Sequence, residues 1–305
     1  MSNLVLLVAC FAVGALARRS GKLPADSHRV FNQWIMYVSL PALVLRSVHG
    51  VPLERALFVG ASTLWLECVV AVVVASLAIR RGAPRPVAGA LALCAGLGNT
   101  AFLGLPLIES LGGHEAMVRA TMIDQLGSFL VLSFVAVPFA VTLGGGNVTP
   151  GLVFRRLLTF PPMLALAAAL LSRSVAFPEA FDGVLRRLAE MLSPLALASI
   201  GWQLDLASLR GQGRRLALGL TYKMVLAPAV IFAVLWAVHG ASGFGLIERV
   251  TVAEAAMPPM VTAGVLSSEH RLDASLAAAL IAIGVVVGLV TVPAWWALMG
   301  VLLPA

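Results

Sequence analysis

The sequence predicts an all-α polytopic membrane protein of ten transmembrane helices, arranged as two five-helix repeats of opposite orientation. Three observations predict it. Of the 305 residues, 60% are hydrophobic and 11% charged, and the mean hydropathy is +0.98. Such a composition excludes a soluble globular domain and a disordered chain. Apolar stretches of spanning length recur along the whole chain. Proline- and glycine-rich interruptions recur in the same order in the two halves.

In chain order, the spans fall at about 3–17, 31–48, 56–79, 86–111, 117–142, 153–172, 184–205, 214–239, 247–267 and 274–302. The first holds a lipobox-like Leu7-Val8-Ala9-Cys10. Its apolar run continues to Ala17 with no basic residue before Leu4, so it reads as an uncleaved helix. The second bends at Ser39-Leu40-Pro41, and the third carries Glu67. The fourth holds Gly98-Asn99-Thr100-Ala101-Phe102-Leu103-Gly104-Leu105-Pro106, a run of poor helix-interior residues that breaks the span. In lipid, unwound backbone is tolerated only where protein buries it or a wet cavity meets it. The fifth span carries Asp124, Gln125 and Val137-Pro138; the seventh opens on Ser193-Pro194 and frays at Gln203 and Asp205. The eighth carries Lys223, and the ninth carries Glu254 before a break at Met257-Pro258-Pro259. The tenth presents Gly284 and Gly288 as a small-xxx-small face, for packing inside the bundle or for a homodimer contact, and then Val292-Pro293.

The net charge of +7 does not point to nucleic acid, because the basic residues lie in short loops and form no tract. Loops after odd-numbered spans hold thirteen of the 21 Lys and Arg: Arg18, Arg19, Lys22, Arg29, Arg80, Arg81, Arg85, Arg155, Arg156, Arg210, Arg214, Arg215 and Arg271. The opposite side holds seven, counting Arg46, and Lys223 lies within a span. This bias predicts a cytoplasmic (inner) membrane protein with the basic side inside and both termini outside. Cys10, Cys68 and Cys94 all fall within apolar spans and read as buried thiols, with no disulfide framework and no metal spacing. His114-Glu115 lacks a second histidine at zinc-protease spacing, and neither a nucleophile elbow nor a phosphate-binding loop is present. No enzyme and no cofactor is expected.

The halves correspond at an offset near 155 residues. Ser39-Leu40-Pro41-Ala42-Leu43 echoes Ser193-Pro194-Leu195-Ala196-Leu197; each broken span is followed by an apolar half-helix and a polar turn; each half ends with a late Val-Pro. Five spans per copy is an odd number, so the second copy, 146–305, is inverted relative to the first, 1–145. Inverted repeats with interrupted helices at corresponding positions point to a secondary transporter. A membrane sensor or channel with a transporter-like fold is the alternative.

Gly98-Asn99-Thr100-x-x-x-Gly104-x-Pro106-Leu107 resembles the broken fourth helix of the auxin efflux carrier family, permeases of the bile acid/auxin carrier-type superfamily. Ala255-Ala256-Met257-Pro258 with Ser268-Glu269-His270-x-x-Asp273 resembles its ninth helix, Asn32 with Ser39-Leu40-Pro41 its second, and Gly21-Lys22-Leu23-Pro24 an early motif. The resemblance covers nearly the whole chain. It implies two inverted five-helix repeats with helices four and nine crossing at the midplane, and transport of small organic anions such as mono- or dicarboxylates. Plant members carry an Ala-Asp-x-Leu-x-Lys run in span three. Here Ala61-Ser62-Thr63-Leu64-Trp65-Leu66 has neither charge, and Glu67 follows immediately.

Candidate substrate-binding residues follow from the breaks. Asn99 and Thr100 either cap the second half-helix or face substrate beside its positive end. Met257, Pro258 and Pro259 sit at the matching break, where prolines suit a first helical turn. Ser39 and Pro41 bend span two beside it, the serine otherwise bonding its own helix. Gln125 completes the set. Glu67, Asp124, Lys223 and Glu254 are the ion-coupling candidates for H⁺ or Na⁺. Each costs about 2.5–3.5 kcal/mol at a helix centre and so needs a partner or a wet cavity. Buried ion pairing is the alternative for Lys223 and Glu254, and snorkelling to the interface for Asp124. Gln203 and Asp205 are weaker ion-site candidates; Arg46 is placed facing water or headgroups. One repeat is expected to rock against the other.

Overall fold

Prolines set the internal joints of this chain, and helix is the only regular element among the described residues. The computed structural model describes residues 2–24, 26–49, 54–149, 151, 155, 158–173, 175–203, 212–240 and 244–302. Helix α1 is Ser2–Ser20, α2 covers residues 27–49, and α3 is Arg55–Arg80. Helix α4, Arg85–Gly96, stops; the chain resumes as α5, residues 100–112, and α6, residues 114–143. Then come α7 (Pro161–Leu171), α8 (Glu179–Glu190), α9 (Leu192–Gln203), α10 (residues 213–239) and α11 (Leu246–Ala255). After a second interruption, α12 (Val261–Glu269) and α13 (Ala274–Leu302) complete the fold. Among the described residues four runs are long and apolar enough to cross a membrane: Arg55–Arg80, Thr100–Leu143, Gly213–His239 and Ala274–Leu302. The second of these, at 44 residues, would be about 66 Å long as one rod, twice the hydrocarbon thickness. Gly113, at φ 76°, redirects it, a backbone conformation that glycine alone adopts without strain.

Five π-helical turns lie within the described helices, and four end two residues before a proline: Ile35–Ser39 before Pro41, Thr100–Gly104 before Pro106, Leu132–Ala136 before Pro138, and Tyr222–Leu226 before Pro228. Proline lacks the N–H of a helical bond, and its ring presses on the carbonyl four residues back. Widening the preceding turn relieves that clash while the helix continues. Pro293 is accommodated in α13 without such a turn.

Packing divides the helices into two bundles that cut across the two sequence halves. In the first, α9 lies along α1 and α2, and α2 takes α7 and α8 on its other side. In the second, α3 packs on α4, α6 and α11; α4 meets α12 and α13; and α10 meets α11 and α13. Each bundle therefore draws helices from both halves of the sequence. The α1–α9 contact is the closest. A Cβ added at Gly14 would fall 2.0 Å from the Ala198 carbonyl oxygen, and one at Gly201 2.0 Å from that of Phe11. Small residues let membrane helices approach this nearly, gaining dispersion where no hydrophobic force acts between them.

Candidate functional site

The two interruptions meet. Residues 97–99 and 256–260 pair as a short antiparallel bridge between Gly98 and Pro259. The Asn99 N–H donates to the Pro258 carbonyl at 2.7 Å, and the Met260 N–H to the Leu97 carbonyl at 2.9 Å. Each break thus satisfies backbone groups of the other, as a water-free setting demands. The small face of α13 seats this crossing: a Cβ on Gly284 would stand 2.6 Å from Pro259 Cδ, and one on Gly288 3.0 Å from the Pro258 ring. Those glycines pack inside the molecule, which removes them as a homodimer contact.

The prolines stand in the extended break and not in a first helical turn, because α12 begins at Val261 with Met260 as its cap. Asn99 makes no side-chain cap either. Its carbonyl accepts the Gly104 N–H across the π turn, while its Nδ2 is buried without a partner among the described residues. Thr100 is no cap, since its hydroxyl donates to Asp124 Oδ1 at 2.5 Å and lies 2.9 Å from Ser128 Oγ. Gln125 Nε2 donates to the other Asp124 oxygen at 2.8 Å, leaving its own Oε1 unpartnered. Asp124 is therefore held at the crossing by two donors and is 3% exposed, so it does not snorkel.

Behind the crossing lies a charged cluster. Lys223 Nζ, fully buried, donates to Glu67 Oε1 at 2.6 Å and to the Ala255 carbonyl at 2.9 Å, the last residue of α11. An ammonium at a helix C-terminus meets the negative end of its dipole. Tyr222, one residue earlier, donates its hydroxyl to the Glu67 carbonyl at 3.0 Å. Glu254 is the exception: it is 0% exposed and neither carboxyl oxygen has a hydrogen-bond partner among the described residues. Its charged neighbours are Asp124 and Lys223, and it packs against Gly104, where an added Cβ would stand 3.4 Å from Oε2.

A cavity of about 160 Å³ opens between the bundles at this level. The first bundle contributes Asn32, Met36, Leu40 and Phe160; the second contributes Asn99, Phe102, Asp124, Gln125, Phe129, Met260 and Thr262, among others. Phe129 and Phe160 stack across the seam with ring centroids 3.9 Å apart. Asn32 is held by Ser199, whose hydroxyl donates to its Oδ1 at 2.5 Å. The first turns of α5 and α12 both start here, and their N–H groups have no intrahelical acceptor. Among the described residues no Lys or Arg lines the cavity. The walls are aromatic and aliphatic with a few polar groups, as in small-molecule sites generally. A wider cavity of about 470 Å³ lies about one helical turn further along α2 and α5, lined by Leu43, Arg46, Pro106, Glu109, Arg186 and Glu190. It is charged and lacks the buried unpartnered amides, so it is a vestibule rather than the site.

Of the expected substrate residues, Asn99 and Gln125 line the inner cavity. Ser39, Pro41, Thr100, Met257, Pro258 and Pro259 do not: Pro41 widens the turn of α2 that carries Ser39, Thr100 orients Asp124, and the prolines and Met257 form the crossing itself. Ser39 Oγ is buried and has no hydrogen-bond partner among the described residues. Glu67 and Lys223 take each other. Arg46 pairs with Asp182 at 2.9 Å on the vestibule wall, and Gln203 donates to the Ser199 carbonyl and hydroxyl. Asp205 lies outside the described residues. Cys68 and Cys94 are buried free thiols and Cys10 is half-buried. Phe102, Phe129 and Phe160 escaped sequence reading, since a phenylalanine in an apolar span carries no signal of which face it serves.

A family described as "Membrane transport protein" matches residues 1–296. An uncharacterized transporter of Methanothermobacter thermautotrophicus is 26% identical over 304 residues, spanning 97% of this chain and 95% of that protein. Another, from Methanocaldococcus jannaschii, is 22% identical over 310 residues, spanning 98% and 99%.

Proposed function

The chain belongs to the membrane transport protein family, that of the auxin efflux carriers, whose members are multi-pass transporters and not enzymes, and from that premise we propose that it carries a small organic anion by alternating access at the crossing of its two broken helices. The observation that carries this reading is the inner cavity. It combines a buried, unpartnered Asn99 amide with two helix N-termini, which bind a carboxylate without an arginine. Its size of about 160 Å³ and its aromatic walls favour a partly apolar monocarboxylate over a dicarboxylate.

Ten spans in two inverted repeats, 1–145 and 146–305, form the proposed frame, in the cytoplasmic membrane with both termini outside. The crossing pairs one break from each half, in support of that symmetry. The two bundles are the proposed moving bodies, because the cavity lies on the seam between them. Coupling to H⁺ or Na⁺ is assigned to Asp124 and Glu254. A carboxylate beside an anion site repels its ligand, and Glu254 lacks any hydrogen-bond donor, so binding a proton or cation there favours substrate entry.

The test is uptake of labelled small carboxylates into proteoliposomes under imposed H⁺ or Na⁺ gradients, for the wild type and for Asn99→Ala. Losing one hydrogen bond to a charged ligand predicts about a tenfold or greater loss of uptake at low substrate, with normal membrane yield. Absence of saturable flux or counterflow from folded wild-type protein overturns transport in favour of a sensor. Unchanged uptake by Asn99→Ala overturns the site.

A further inference from the structure

A third hollow faces away from the seam. It is a groove of about 340 Å³ whose floor is α4 and whose walls are α3 and α10, lined by Ala71, Ala75, Ala78, Ala88, Leu91 and Leu218, among others. Its one side-chain polar atom is the Tyr222 hydroxyl, already given to the Glu67 carbonyl at its deep end. An organic anion gains nothing from such walls, while a hydrocarbon chain does. From Val87 to Ala95 along α4 the groove runs about 12 Å at the helical rise, most of one leaflet's share of a ~30 Å core.

The shallow end says what head group belongs to that chain. Arg80 and Arg81 follow Ala78 and precede the lining Ala83; Arg85 precedes Val87; Arg214 and Arg215 lie one turn before Leu218. All five are exposed. Among the described residues Arg215 reaches an acid, Asp273, at 4.0 Å, and the other four make no ion pair. Alanine walls and an arginine rim are two independent features, and they converge on one ligand. We infer that this groove binds an anionic phospholipid, with one acyl chain along α4 and the phosphate among the arginines. Its deep end touches Tyr222, the neighbour of Lys223, so the lipid abuts the helix that carries the buried ion pair.

The experiment is native mass spectrometry of the full chain released from vesicles of phosphatidylglycerol and phosphatidylcholine mixed one to three. The wild type is expected to retain phosphatidylglycerol in preference to phosphatidylcholine. Arg81→Gln/Arg85→Gln/Arg214→Gln is expected to weaken retention by about fivefold per arginine removed. Ala78→Phe fills the groove and is expected to lose the lipid with all five arginines in place. Retention of the two lipids by the wild type in the proportion of the vesicle overturns the site, whatever the variants do. Retention by a folded Ala78→Phe equal to the wild type reduces it to surface attraction and overturns the groove.

Discussion

Lys223 and Glu67 lie 156 residues apart in sequence and 2.6 Å apart in the fold, with essentially no exposure on either side chain. A buried ion pair is weak evidence for stability, yet removing one partner strands the other charge, at about 3–5 kcal/mol. Lys223→Met leaves Glu67 unpaired and also takes the donor from the Ala255 carbonyl; Glu67→Gln strands the ammonium. Each single variant is expected to melt several degrees below the wild type in detergent, and Glu67→Gln/Lys223→Met to recover part of the loss. Single variants that melt with the wild type would show that the pair is not held as described. Intramembrane charges are visible in a sequence because they are rare, so all four were legible as special. Which of them pair was not legible, since partners come from helices far apart in the chain. The same limit explains why the sequence could not separate Asn99, which lines the inner cavity, from its neighbour Thr100, whose hydroxyl donates to Asp124.

At the scale of single helices, prolines and glycines carried the most information. The interruptions at 97–99 and 256–260 were legible because Gly, Asn and Pro clusters disfavour helix in any context. The π turns before Pro41, Pro106, Pro138 and Pro228 were not, because a proline kinks, ends or widens a helix according to what surrounds it. The α1–α9 contact was hidden too: Gly14 and Gly201 are two among 28 glycines, and only the fold shows backbone oxygens 2.0 Å from where their side chains would begin. Gly201→Ala is therefore expected to push α1 and α9 apart and cost about 1–3 kcal/mol. Gly213→Ala, with nothing within 4 Å, is its control. Comparison of thermal unfolding of the two variants tests this, and equal melting would refute the close contact.

For the whole molecule, helix content and the multi-pass class follow from composition, because lipid leaves the backbone few alternatives. The division into bundles does not, because extensive contacts join α1 to α9 and α2 to α7, between helices from opposite halves of the sequence. That division puts the inner cavity and the vestibule at successive levels of one seam, and it makes a sided prediction. Gln33 and Thr159 flank a mouth adjoining the inner cavity, while Glu109 and Glu190 line the vestibule. In a Cys10→Ser background, Gln33→Cys and Thr159→Cys are expected to react with an impermeant thiol reagent from the cytoplasm, and Glu109→Cys and Glu190→Cys from outside. Reaction of all four from one face would contradict the two-ended seam.

The bridge between Gly98 and Pro259 also bears on how the chain is made. Gly98 and Pro259 stand 161 positions apart in the chain, 259 minus 98. When the first break enters the membrane, the native partners of the Asn99 N–H and the Leu97 carbonyl, on Pro258 and Met260, do not yet exist. The native hydrogen bonds of the first break therefore form only after residues 258–260 have been made. The crossing is thus a checkpoint on completeness: a chain truncated before residue 258 cannot finish its own interior.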